Sequence, residues 1–139
     1  MAEKELKINF EELPEFIKES IDLETGKIKD YISGQWVEAT PEEVEAVQVF
    51  ARRLVEDYYY SKDQIQTHPQ FRVRKRPSDE RREYPVDIAV FKSNKKVESE
   101  LFMIVECKQP NKRQGLRQLK IYMDLSPAVI GVWLSLIHI

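Results

Sequence analysis

The 139-residue sequence predicts a mixed α/β domain, with helices on both sides of a sheet that contains parallel and antiparallel strands. Three observations predict this class. An amphipathic helical stripe follows Thr40, short apolar runs rich in β-branched residues come next, and a second helical stripe separates the last run from the others. The resulting order, α-β-β-β-α-β, is typical of a mixed sheet flanked by helices.

The first helix is predicted to run from Pro41 to about Tyr59. Thr40 provides an N-cap, Pro41 takes the first helical position and Glu43 takes the third, which together make a capping box. Apolar residues then recur at spacings of three and four, as on one face of a helix: Val44, Val47, Ala51, Leu54 and Tyr58.

An acidic segment precedes this helix. Residues 1–39 are predicted to be an irregular lead-in to a domain that spans residues 40–133. Within the lead-in, residues 13–21 have the pattern of a short helix, and residues 27–36 have the pattern of a hairpin.

Three strands are predicted between the two helices. Residues 64–74 alternate well enough for a strand, although Pro69 restricts it to a sheet edge or a bulge. Residues 84–91 (YPVDIAVF) and 101–107 (LFMIVEC) are short and apolar, as buried strands are. The polar segment 92–100 between them has the length of a hairpin connection, so we expect these two strands to pair antiparallel.

The end of the chain supplies a helix, a strand and an unusual tail. Residues 113–124 carry Leu116, Leu119 and Met123 on one helical stripe, and residues 128–133 (AVIGVW) form the last buried strand. Residues 134–139 (LSLIHI) stand where a surface turn is expected, and they resemble the translation of a sequencing adapter. We therefore predict a non-native tail at a truncated C-terminus, with a genuine final strand as the alternative.

Composition excludes several classes of protein. Hydrophobic residues make up 42% of the chain and aromatic residues 10%, which argues against a disordered or fibrous protein. No apolar run approaches the roughly 20 residues of a membrane span. The single cysteine excludes an intramolecular disulfide framework and a cysteine-rich zinc site.

The net charge of −2 conceals an asymmetry along the chain. Residues 1–45 carry 13 acidic and 5 basic side chains, whereas residues 46–139 carry 11 acidic and 17 basic ones. Residues 71–82 and 107–120 form two basic stripes. Such stripes are the electrostatic footprint expected of a polyanion-binding surface, although an ordinary solvated surface is the alternative.

Three charged residues lie in predicted buried strands. Asp87 occupies the middle of YPVDIAVF, and Glu106 and Lys108 end LFMIVECK on one face of their strand. If the strands pair antiparallel, Asp87 can lie opposite Glu106 and Lys108. A buried carboxylate is normally paired or bound to a metal, and Asp and Glu supply the hard oxygen ligands that suit Mg²⁺. A buried salt bridge that involves Lys108 is the structural alternative.

These residues carry a resemblance to a known family. Asp87, followed 19 positions later by Glu106-Cys107-Lys108, resembles the Asp…Glu-X-Lys signature of the PD-(D/E)XK nuclease superfamily. Across residues 40–133 the phrases PVDIAVF and IVECKQPN resemble more closely the N-terminal domain of type I restriction enzyme R subunits, a domain also found fused to DNA adenine methyltransferases. The resemblance implies a restriction-endonuclease-like αβββαβ core, although Val86 separates Pro85 from the acidic residue.

The resemblance also implies a set of site residues. Asp87 and Glu106 would bind Mg²⁺ together with the backbone carbonyl of Cys107, and Lys108 would position the attacking water. Gln118 and Tyr122 match the Gln-X3-Tyr motif of related nucleases, which supports the site and contacts DNA.

Further site residues are expected outside this motif. Many family members place a glutamate of the first helix near the metal; Glu45 is our candidate, and Glu43 is its competitor, already occupied by capping. The basic stripes would contact phosphates through Arg72, Arg74, Lys75, Arg76, Lys112, Arg113 and Arg117.

Two further side chains have simple interpretations. We expect His68 to lie on the surface beside Pro69. We expect Cys107 to be a small buried hydrophobic residue on the opposite strand face from Glu106, and not a nucleophile.

The function implied is that of a Mg²⁺-dependent endonuclease domain of a type I-like restriction-modification enzyme. Its partners would be double-stranded DNA and specificity and methyltransferase subunits, or methyltransferase or helicase domains fused downstream, in the cytoplasm of a bacterium or archaeon. The alternatives are a repair or recombination nuclease of the same superfamily, and a catalytically silent DNA-binding or interaction module.

Overall fold

The computed structural model describes residues 8–74, 83–108, 119–120, 123–124 and 126–135. For five strand residues at the margins of these ranges only the backbone is described: Arg74, Glu83, Tyr84, Lys108 and Ser135. Within this described part of the chain, no helix is both long enough and apolar enough to cross a membrane.

The acidic segment before residue 40 folds into a small sheet. After a 3-10 turn (Phe10–Glu12), helix α1 (Glu15–Lys18) leads into three antiparallel strands, β1 (Ile21–Asp22), β2 (Lys27–Lys29) and β3 (Trp36–Glu38). The short helix and the hairpin are confirmed, but the expectation of an irregular segment is wrong. The reason is burial: Ile17 and Ile28 pack in one core cluster with Val44 of the following helix.

The first long helix begins after Thr40, as predicted. Residues 41–42 open it, Glu43–Val47 form a π-helical turn, and α2 (Gln48–Glu56) completes it. The Thr40 hydroxyl accepts a hydrogen bond from the backbone N–H of Glu43 at 3.2 Å, which is half of the predicted capping box. The other half is not formed, because the Glu43 carboxylate accepts hydrogen bonds from side chains elsewhere.

The strands that follow make a four-stranded sheet and a separate two-stranded ribbon. In chain order they are β4 (Ile65–Gln66), β5 (Arg72–Arg74), β6 (Glu83–Pro85), β7 (Ile88–Phe91), β8 (Leu101–Lys108) and β9 (Ile130–Ser135). The sheet has the order β4-β7-β8-β9, and β5 pairs with β6 antiparallel. In the sheet β4, β7 and β8 pair antiparallel, whereas β9 runs parallel to β8.

The predicted mixed α/β class and the antiparallel pairing of the two central strands are confirmed. Of the second predicted helix, residues 119–120 and 123–124 are described and are helical. The last strand runs from Ile130 through Ser135, two residues into the predicted non-native tail, with Leu134 opposite Cys107. The origin of residues 134–139 stays a prediction.

Two predicted strands are interrupted. The segment predicted at 64–74 divides into β4 and β5, which belong to different sheets, because Pro69 between them cannot donate a ladder hydrogen bond. The segment predicted at 84–91 divides at residues 86–87, where the chain passes from the ribbon into the sheet.

The core lies on both faces of the four-stranded sheet. On one face Ala51 and Leu54 of α2 pack on Ile88 and Val105. On the other, the helical residues Leu119 and Met123 pack with Ile104 and its neighbours. Because every residue of β7 is buried, a polar side chain can reach the surface only where that strand ends.

The burial of Ile28 gives a test of whether the N-terminal sheet shares the core. Ile28→Ala should lower the free energy of unfolding by about 2–5 kcal/mol, since it leaves a cavity against Val44. Urea unfolding followed by circular dichroism measures this. Val97→Ala, at a side chain 49% exposed, is the control and should change the value by less than about 0.5 kcal/mol. An unchanged transition for Ile28→Ala would show that the segment folds independently of the domain.

Candidate functional site

The break between β6 and β7 places Asp87 at the end of the central sheet. The backbone N–H of Val86 donates to the carbonyl of Phe71 at 2.9 Å. The residue just before Asp87 is therefore still bonded to the segment that leads into the ribbon strand β5. Ile88 then begins the pairing with β8, opposite Val105. Asp87 is therefore the first residue at the sheet end, and its side chain is half-buried.

Each oxygen of the Asp87 carboxylate accepts a hydrogen bond. Its Oδ2 accepts the backbone N–H of Cys107 at 2.7 Å, and its Oδ1 accepts the side-chain amide of Gln70 at 3.2 Å. The first bond crosses from β7 to β8, so a side chain takes over the hydrogen bond that the ladder would otherwise continue. The carboxylate thus lies directly beside the Glu106–Cys107 peptide.

Glu106 lies opposite Asp87. The register pairs Ile88 with Val105, and one further step along it brings these two acidic residues face to face. Glu106 is 1% exposed and alternates with Val105 and Cys107, which lie in the cluster under α2. Its side chain is consequently on the opposite face, where its register neighbour on β9 is Trp133.

Cys107 behaves as expected. It is buried, is not part of a disulfide, and belongs to the cluster on the face away from Glu106. The backbone of Lys108 ends β8 opposite Ser135, two residues after Glu106.

The remaining expected site residues are only partly described. Glu45 lies half-buried in the π-helical turn, and Arg72 is exposed on β5. Arg74 is described by its backbone alone. The other members lie outside the described residues: Lys75, Arg76, Lys112, Arg113, Arg117, Gln118 and Tyr122.

A second polar cluster, which sequence reasoning missed, lies between the N-terminal sheet, the π-helical turn and the loop after β4. The Gln48 amide nitrogen donates to Asp30 Oδ1 at 2.7 Å and to Glu43 Oε1 at 2.8 Å. The Gln48 amide oxygen accepts the N–H of Tyr31 at 2.7 Å, which fixes the orientation of the amide. His68 Nε2 bonds to Glu43 Oε1 at 2.7 Å, and its side chain is 21% exposed, so the expected surface histidine is in fact half-buried.

The π-helical turn explains why Glu43 and Gln48 meet. They are five residues apart, and the N–H of Gln48 donates to the carbonyl of Glu43. In an α-helix, residues three and four apart face each other, whereas the wider π turn aligns residues five apart. The sequence carries no periodic signal for this contact, because the apolar stripe is consistent with an uninterrupted α-helix.

The residue types of this cluster suit a metal ion, but both oxygens of the Asp30 carboxylate already accept hydrogen bonds from protein groups. One atom each of Asp30, Glu43 and His68 lie within 4.8 Å of one another. Asp30 Oδ2, however, already accepts the Thr67 hydroxyl at 2.7 Å, the Ser33 hydroxyl at 2.7 Å and the Ser33 N–H at 2.9 Å. Burial raises the pKa of Asp30, but these bonds and that of Gln48 outweigh burial and hold it below 3.8.

His68 is the basic member of this cluster. Its hydrogen bond to Glu43 raises the pKa of His68 above 6.5, burial opposes the increase, and the charges of Glu43, Asp30 and Asp87 add to it. The Glu43 carboxylate therefore stabilises the cationic form of the imidazole relative to the neutral form.

Together these features define a small α/β domain whose central sheet ends in a pair of carboxylates. The sequence profile of the family described as the type I restriction enzyme R protein N terminus matches residues 41–134, about two thirds of the chain. The chain belongs to this family, which confirms the resemblance to the N-terminal domain of type I restriction enzyme R subunits and supports a restriction-enzyme role. No curated protein and no solved structure matches the chain.

The His68–Glu43 pair predicts a pH-dependent contribution to stability. Because the folded-state pKa of His68 is raised, the stabilisation is complete below about pH 6.5 and is lost as the pH rises through the raised pKa. The free energy of unfolding of the wild type should therefore exceed that of Glu43→Gln most below about pH 6.5, and the difference should shrink as the pH rises through the raised pKa of His68. Urea unfolding at a series of pH values across this transition measures the difference.

A matched control is Glu56→Gln, which removes an exposed carboxylate paired with Arg52 at 2.9 Å. This variant should show no such convergence with the wild type. A difference between wild type and Glu43→Gln that grew with pH would contradict the assigned pair.

Proposed function

We propose that this chain is the Mg²⁺-dependent endonuclease domain of a type I-like restriction-modification enzyme, of the PD-(D/E)XK superfamily, and that it hydrolyses DNA phosphodiester bonds. The observation that carries the proposal is the Asp87 carboxylate bonded to the Cys107 N–H, next to buried Glu106 on the same sheet face. Family membership supports the restriction context.

The donor set fits Mg²⁺. Two carboxylates from adjacent strands supply hard oxygen ligands, and Mg²⁺ in proteins is usually held by one or two carboxylates, with waters completing the octahedron. We assign the ion to Asp87, Glu106 and the carbonyl of Cys107, with Glu45 as a further candidate ligand from the π-helical turn. Soft or imidazole ligands are not part of this set, which argues against zinc.

The proposed chemistry is water attack on phosphorus. When bound, Mg²⁺ supplies Lewis-acid stabilisation of the charge that develops on the phosphate oxygens. Lys108 positions the attacking water, and Gln118 and Tyr122 support the site and contact DNA. A bond forms between the water oxygen and phosphorus as the bond from phosphorus to the 3′ oxygen breaks, leaving a 5′-phosphate and a 3′-hydroxyl.

DNA contact would come from the basic stripes. Arg72 is exposed on the ribbon that leads directly to Asp87, and Arg74, Lys75 and Arg76 follow it in sequence. The second stripe contributes Lys112, Arg113 and Arg117. Such contacts hold phosphates without reading base sequence, so recognition would reside in a specificity subunit or in fused methyltransferase or helicase domains. A bacterial or archaeal cytoplasm is the expected compartment.

Cleavage of supercoiled plasmid DNA in Mg²⁺ tests the proposal. Asp87→Asn, Glu106→Gln and Lys108→Ala should each lower the cleavage rate by about 100-fold or more, because each removes a group that acts on the reacting phosphate or its metal. Lys95→Ala, in the exposed β7–β8 hairpin, should cut like the wild type. Equal cutting by Asp87→Asn and wild type would show that the site is wrongly assigned.

The absence of cutting by the wild type, combined with DNA binding, would favour the catalytically silent module. Cutting without any link to restriction-modification genes would favour a repair or recombination nuclease of the same superfamily.

The role of Arg72 is tested by the salt dependence of DNA binding. Arg72→Ala should weaken binding to duplexes of unrelated sequence to a similar extent and reduce the slope of log affinity against log salt by about 0.9. Fluorescence anisotropy at several salt concentrations measures it. Arg53→Ala, at an exposed arginine of α2, is the control and should leave the slope unchanged. An unchanged slope for Arg72→Ala would remove Arg72 from the interface.

A further inference from the structure

We propose that Gln70 is a positioning residue, which holds the Asp87 carboxylate in the orientation required for metal binding. This inference rests on the proposed function, because it concerns the same metal site. It assigns a role to a residue outside the Asp…Glu-X-Lys motif, in the loop between β4 and β5.

The geometry at Asp87 shows what Gln70 contributes. The Cys107 N–H donates to Oδ2 at 2.7 Å and so restrains that oxygen of the carboxylate. The Gln70 amide donates to Oδ1 at 3.2 Å, so donors on both oxygens restrict rotation of the carboxylate about its Cβ–Cγ bond. Mg²⁺ requires near-ideal octahedral geometry, so its affinity depends on the orientation of each ligand.

The loop that carries Gln70 is itself anchored on both sides. Before it, the Thr67 hydroxyl donates to Asp30 at 2.7 Å, and His68 bonds to Glu43 at 2.7 Å. After it, the Phe71 carbonyl accepts the N–H of Val86 at 2.9 Å. The Phe71 ring also packs edge-on against Phe91, with centroids 5.1 Å apart. The Gln70 amide is therefore presented from a fixed backbone.

Partners that orient metal ligands typically contribute 10- to 100-fold to metal affinity. Gln70→Met keeps the length of the side chain and removes its donor. We expect this variant to bind metal about tenfold more weakly than the wild type and to need a correspondingly higher Mg²⁺ concentration for half-maximal DNA cleavage.

The direct experiment uses the full 139-residue chain and Mn²⁺ as the probe, with free Mn²⁺ measured by electron paramagnetic resonance. Gln66→Met is the matched control, because the Gln66 amide donates to the Pro69 carbonyl at 2.9 Å in the same loop and leaves Asp87 untouched. The control should stay within about twofold of wild-type affinity, while Asp87→Asn should abolish binding. Urea unfolding without metal should be the same for Gln70→Met and wild type.

The outcomes separate this inference from the proposed function. If the wild type binds Mn²⁺, Asp87→Asn does not, and Gln70→Met binds like the wild type, only the positioning role is overturned. Equal losses in Gln70→Met and Gln66→Met would also overturn it, since the loop and not the contact would then be responsible. If the wild type takes up no Mn²⁺, or Asp87→Asn binds as the wild type does, the metal site and this inference both fail.

Discussion

The hydrogen bond from the Cys107 N–H to the Asp87 carboxylate is the interaction on which the site depends. The backbone of residue 86 is committed to the ribbon through its bond to Phe71, so it does not extend the β7–β8 ladder. A side chain completes the ladder in its place. This one hydrogen bond therefore links β7 to β8 at the end of the sheet. It also orients the Asp87 carboxylate towards the sheet face on which Glu106 is buried.

The polar cluster around Gln48 supports this arrangement from a distance. Its members come from the N-terminal sheet, the π-helical turn and the loop after β4, and they are joined through Asp30 and Glu43. Because the same loop also carries Gln70, the loop backbone connects this network to the sheet end. Buried networks of this kind are costly when one partner is lost, since the remaining polar groups stay desolvated.

The central strands could be predicted from the sequence, whereas the interruptions could not. Alternation with period two and a short polar connection were enough to place Asp87 opposite Glu106 and Cys107 on the other face. Pro69 indicated a restriction on the strand predicted at 64–74 but not its division between two sheets, and the break near Val86 accompanies a long-range hydrogen bond to Phe71 that no local pattern encodes. The same is true of Asp30 and His68, which are far apart in sequence, and of Glu43, whose contacts depend on a π turn hidden within an ordinary amphipathic stripe.

Because the N-terminal sheet shares a core with the following helix, the folding unit begins before the region that the family profile matches. The family match begins at residue 41, yet Asp30 lies before it and accepts hydrogen bonds from Gln48 and Thr67, two buried residues within the matched region. A protein cut at the family limit would leave both donors without this acceptor, at a cost of about 1–3 kcal/mol each, and would also uncover Val44. Low stability of such a shortened protein would therefore be a result of the truncation and not a property of the intact domain.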